Sequence, residues 1–180
     1  MKRRLFLALG LFLALPQLAA ACEPPTIYYL PYMADLKGAS DADVTDFVRT
    51  TKPVVKDTYL SRGTAGEQSL CGGQGYISVD LTLPPGAPFA FGQVGVELKL
   101  VEGRFPGHVF PNGPVMPDEA GTDTLQLGNS WFEGPPETHR TISAVFNATL
   151  VAPDGTRGPA TRIVIKSVPK RTGKKEELSR

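Results

Sequence analysis

The chain has 180 residues, 41% of them hydrophobic, and its 19 Lys+Arg against 18 Asp+Glu give a formal net charge of +1. That balance lacks the strongly basic face that nucleic acid demands, so no nucleic-acid partner is expected. The 17 Pro and 19 Gly fall between apolar runs, as in a β protein with many turns.

Residues 1–21 form the first element. Lys2, Arg3 and Arg4 precede a Leu, Phe and Ala run that closes on Ala19-Ala20-Ala21. This order of charge, apolar stretch and small-residue cleavage site is that of a secretory signal peptide. The apolar run is short of the roughly 20 residues of a membrane span. Cleavage after Ala21 leaves residues 22–180 to work outside the cytoplasm, in the periplasm or beyond. Losing Lys2, Arg3 and Arg4 takes 19 basic residues to 16 against 18 acidic, a net charge of −2.

Cys22 and Cys71 are the two cysteines, and both survive cleavage. In an oxidising compartment an even count favours a disulfide, Cys22 to Cys71. The other fate of Cys22 is lipidation, because Leu18-Ala19-Ala20-Ala21-Cys22 resembles the lipobox of bacterial lipoproteins. Ala19 stands where that family prefers Leu. A lipid on Cys22 implies a membrane contact, at the outer membrane given Glu23, and leaves Cys71 unpaired.

Residues 22–70 read as a mixed N-terminal arm. Pro25 to Leu30 has the look of an edge strand ended by Pro31. Ser40 and Asp43 resemble a helix N-terminal box, Val44, Phe47 and Val48 supply one apolar stripe, and Pro53 stops the helix. Val54 to Leu60 reads as a strand. From Cys71 to Val168 the pattern is β. Ile77, Val79, Leu81 and Leu83 alternate with Tyr76, Ser78, Asp80 and Thr82. Val94, Val96, Leu98 and Leu100 repeat the period. Ile142, Ala144, Phe146, Ala148 and Leu150 share one face, and Ile163 and Ile165 oppose Arg162 and Lys166. Weaker strand signals lie at Thr124–Leu127 and around Val109. Strands divided by Pro/Gly turns predict an all-β fold, an antiparallel sandwich. Residues 169–180 carry five basic and two acidic side chains and read as a flexible basic tail.

The run Phe146-Asn147-Ala148-Thr149-Leu150-Val151-Ala152, then Asp154-Gly155 and Gly158-Pro159, resembles the final hairpin of fibronectin type III and related immunoglobulin-like domains. The resemblance implies two packed antiparallel sheets of about seven strands over Gly75 to Val168. The Gly75–Leu83 strand lacks the tryptophan that the fibronectin family usually has there; Trp131 lies elsewhere.

Catalytic and metal chemistry finds little footing. No Gly-x-Ser-x-Gly elbow occurs. Zinc needs three or four ligands, and His108 and His139 are the only histidines. His139 follows Glu133 and Glu137 across Pro135-Pro136 and reads as a solvated loop residue. Cys71 as a nucleophile with a histidine base lacks a helix N-terminus to activate it. No catalytic residue, metal or cofactor is therefore assigned.

What remains is aromatic surface on loops: Tyr28, Tyr29 and Tyr32 near the mature N-terminus, Phe105 and Phe110 in the Arg104–Pro117 segment, and Trp131 with Phe132. The leading expectation is an exported, non-catalytic binding or structural module of a bacterial cell envelope, with a protein partner. The alternative is carbohydrate or peptidoglycan recognition through Tyr28, Tyr29 and Trp131. The third is a small thiol or metal enzyme centred on Cys71 and His139.

Overall fold

The computed structural model describes residues 29–32, 42–63, 73–119, 121–134 and 136–169. Eight strands and one helix run along them: β1 (Tyr29–Pro31), α1 (Ala42–Thr50), β2 (Val54–Ser61), β3 (Gln74–Thr82), β4 (Gly95–Arg104), β5 (Val115–Pro117), β6 (Thr124–Phe132), β7 (Ile142–Val151) and β8 (Thr161–Ser167). A one-turn 3-10 helix, Pro136–Thr138, precedes β7. One sheet has the order β1-β5-β4-β7-β8 and the other β2-β3-β6, with every pairing antiparallel. The fold is all-β, two antiparallel sheets packed as a sandwich.

The period-two pattern explains the packing. Ile77, Val79 and Leu81 of β3 face Leu98, Phe146, Leu150 and Ile163 of the other sheet in one core. Leu125 and Leu127 join from β6, directly opposite Leu81 and Val79 in register. Each such buried aliphatic side chain contributes about 1.5–3 kcal/mol relative to exposure, so these inner faces dominate stability.

Helix α1 closes one end. Val44 and Val48 are buried, Phe47 meets Phe89 edge-on at 5.3 Å, and Thr45 donates from Oγ1 to Asp154 Oδ2 at 3.1 Å. Asp43 in its first turn and Arg49 in its last complement the helix dipole. Thr51 N–H bonds back to Val48 O, ending the helix ahead of Pro53. The β7–β8 loop passes so near that a side chain on Gly158 would collide with Val48 O and stand 3.0 Å from Thr51 O.

Several expectations need correction. Leu100 does not join the buried face; it is 42% exposed, in the half of β4 that runs on past its one pairing with β5, at Val96. No strand forms around Val109. That residue is buried from a loop, and the strand comes later, at β5. Pro31 ends β1 from inside: it sits opposite Val115 on an edge strand, where a missing N–H costs no ladder bond. β6 runs on past Leu127 to Phe132. Cys22, Cys71, Tyr28 and Ser40 lie outside the described residues.

Candidate functional site

At one pole of the sandwich β2, β4, β6 and β8 finish and β3 and β7 begin, which gathers residues from distant parts of the chain. Arg62 follows β2 and Glu133 follows β6. The guanidinium forks onto the carboxylate: Nε donates to Oε2 at 2.8 Å and Nη2 pairs with Oε1. Gly63 N–H adds a bond to Oε2 at 3.3 Å. Arg62 also reaches the other sheet, donating from Nη2 to Arg140 O at 2.9 Å and from Nη1 to Ser167 Oγ at 3.4 Å. Only 15% of the Arg62 side chain and 6% of that of Glu133 are exposed. A planar bidentate pair out of water is geometrically demanding, and it fixes the segments it joins.

His139 belongs to this cluster. Its side chain is 4% exposed, with Nε2 3.1 Å from Gly134 O and 3.5 Å from Glu133 Oε2. Two oxygens around one nitrogen call for a hydrogen on it, so Nε2 donates to Gly134 O. The expectation of a solvated histidine is thus corrected: the 3-10 turn swings the ring back under the loop. His108 is exposed in its loop. Among the described residues, no group of three or more His, Cys, Asp or Glu is arranged to hold a metal.

Over this locked floor opens a groove of about 400 Å³, lined by Arg104, Phe105, Phe132, Thr138, Arg140 and Ile142 among others. Trp131 points into the core, so its neighbour Phe132 points out, and it is 85% exposed. Arg104 and Arg140 are exposed and make no ion pair with any described acidic residue.

The other described aromatics named from sequence serve the core. Tyr32 is 3% exposed and donates its hydroxyl to Gln93 O at 2.9 Å. Burial, with Asp154 nearby in second place, pushes its phenol up to about 12. Tyr29 packs on the core, and burial raises its phenol as well. Trp131 is buried, its Nε1 has no hydrogen-bond partner, and Phe105 meets it edge-on at 5.0 Å. Phe105 and Phe110 both stack edge-to-face on Phe146, at 5.9 and 5.1 Å. Tyr32 and Trp131 therefore present no face to a ligand, and among the described members of the set Phe132 alone stands clear of the core.

Sequence reasoning missed Arg62, Arg104 and Arg140, and it missed an aromatic pair on the outer face of the smaller sheet. There Tyr59, 54% exposed, lies 6.2 Å from Tyr76. Register carries this pair: Tyr59 opposes Ser78, and Ser78 opposes Gly128, which leaves room for the Tyr76 hydroxyl. Its signal was the alternation in β2, where Tyr59 falls on the outward face. Comparison with protein-family models, with curated proteins and with solved structures returns no match for this chain.

Proposed function

We propose that the chain is an exported, non-catalytic binding module of a bacterial cell envelope, built on an immunoglobulin-like sandwich and docking a protein partner at the Arg62–Glu133 pole. The strand order supports the immunoglobulin-like part: β2-β3-β6 and β5-β4-β7-β8 correspond to A-B-E and C′-C-F-G, with β1 as an added edge strand. The single observation that carries the docking is Phe132, an aromatic 85% exposed on the rim of a groove whose floor is held by a buried ion pair. A rigid aromatic beside a preformed recess loses little entropy on binding, the usual character of an interface anchor.

A photo-crosslinking residue at position 132, with one at Thr58 as control, tests this in the producing cell. A discrete protein adduct from 132 and none from 58 is expected; adducts absent from 132, or equal at both, overturn it.

Carbohydrate recognition is the second reading, and the Tyr59–Tyr76 pair favours it over the tyrosines and tryptophan first named. Calorimetric titration with cell-wall glycans tests it. Binding heat that Tyr59→Ala abolishes supports this reading, and none across a broad panel removes it.

A further inference from the structure

The charge of the groove says what kind of segment it takes. Glu133 beneath it is already matched by Arg62. Two guanidiniums, Arg104 and Arg140, are left over on the lining, beside the apolar surface of Phe105 and Phe132. After the leader the rest of the chain is net negative, so this pole departs from the average of the molecule.

Building on the docking reading above, we propose that the groove receives an acidic, extended segment of the partner protein, with carboxylates on Arg104 and Arg140 and an apolar side chain between them against Phe132 and Phe105. Guanidinium forks match carboxylates in two-bond geometry, and an adjoining apolar wall excludes water from the pair. A concave recess of about 400 Å³ accommodates side chains of a peptide, whereas a flat bilayer reaches only the rim. The two guanidiniums also act at longer range, which raises the association rate of an acidic partner at low salt.

The test uses the mature chain and two fluorescein-labelled dodecapeptides, one alternating Glu with Phe and Leu, the other with every Glu replaced by Gln. Fluorescence anisotropy is expected to give at least tenfold tighter binding of the Glu peptide, weakening steadily as salt rises from 20 to 300 mM, on the order of the range over which surface charges become screened. The double variant Arg104→Glu/Arg140→Glu should lose that preference, and Phe132→Asp should weaken both peptides. Arg49→Glu on α1, at the other pole, should change nothing. Equal binding of the Gln peptide, or an unaltered preference in the double variant, overturns the acidic assignment. So does tighter binding to phosphatidylglycerol vesicles than to the Glu peptide with the same dependence on Arg104 and Arg140, which assigns the pole to a membrane. A position-132 adduct that persists in the double variant keeps the docking reading while removing the acidic one. Loss of the adduct in the wild-type chain removes the docking reading itself.

Discussion

Trp131 on β6 sits directly across from Gly75 on β3, and its indole occupies the space in which any side chain on Gly75 would stand, with Cη2 only 2.8 Å from that position. The ring is pinned from the other side by Phe105. Gly75→Ala should therefore cost about 2–3 kcal/mol, since extra volume in a packed core forces shifts rather than filling space. Urea unfolding measures it. Trp131→Phe alone should also destabilise, by about 1–3 kcal/mol for the lost volume. In the double variant the two penalties should sum to clearly less than their total, because the smaller ring no longer meets the added methyl. Full additivity would mean that the two residues do not share this space.

The same pair shows how far the sequence could be read. Strict alternation made β3, β7 and β8 legible, because each has one face in the core and the other outside. β6 faded after Leu127 because Gly128-Asn129-Ser130 offers nothing apolar; its length comes from pairing with β3, a non-local cause. Leu100 obeyed the alternation and still ended exposed, since how far a neighbouring strand runs alongside cannot be seen in one strand. The candidate site was less legible than the fold. Glu133 and His139 were noticed as sequence neighbours, but Arg62 lies 71 residues from Glu133, and nothing local couples them. A carboxylate and a histidine in a Pro-Pro loop look solvated until the distant guanidinium is in place.

The Arg62–Glu133 pair yields a second prediction. Arg62→Met strands a carboxylate of which 6% is exposed, and removing one partner of a buried pair costs about 3–5 kcal/mol. Adding Glu133→Leu to that variant should recover most of the loss, since two apolar residues of similar size need no charge compensation. Thermal unfolding of the three chains checks this. A single-variant loss under 1 kcal/mol would mean the pair holds nothing in place.

Stability should depend on pH at both extremes. Glu97 is held below its ordinary range chiefly by hydrogen bonds from Arg157, and Glu102 by those from Arg162. Asp154 is lowered first by the backbone N–H of Thr156. Carboxylates lowered on folding contribute stability that is present above about pH 4.5 and lost as pH falls through their folded values. Tyr32 has the opposite sign. Its phenol moves from 10.0 to about 12, so its contribution is intact below pH 10 and disappears as pH climbs toward 12. Urea midpoints against pH should fall at both ends. Arg157→Ala should flatten the acid limb, and Tyr32→Phe the alkaline one.

Fluorescence follows from the burial of Trp131, the chain's one tryptophan. Its emission should be blue-shifted and poorly quenched by iodide, and a glycan on the outer face of β2 should leave it unmoved. Phe132→Trp should add a second, water-exposed emitter that iodide quenches and that the acidic peptide protects. Easy quenching of the wild-type chain would contradict the packing of Phe105 and Gly75 around the indole.

The cysteines give the last prediction, and geometry sets its terms. β1 enters at the pole where β3 ends, whereas β3 starts at the other pole, three residues after Cys71 in sequence. Seven residue steps from Cys22 to Tyr29 and three from Cys71 to Gln74 reach about 35 Å when fully extended. The eight steps along β3 take up roughly 26 Å of that, at about 3.3 Å each. A Cys22–Cys71 disulfide would therefore close with little slack, and it would tie the edge strand β1 to the groove pole. Closing a loop of this length stabilises by about 4 kcal/mol in the chain-entropy account. Intact mass before and after reduction with alkylation decides the matter. Two alkyl groups gained only after reduction, with a lower melting temperature in reductant, are expected for the bridged chain. A mass carrying acyl chains, with Cys71 alkylated at once, would replace the bridge by a lipid on Cys22 and would fix β1, rather than the groove, next to the membrane.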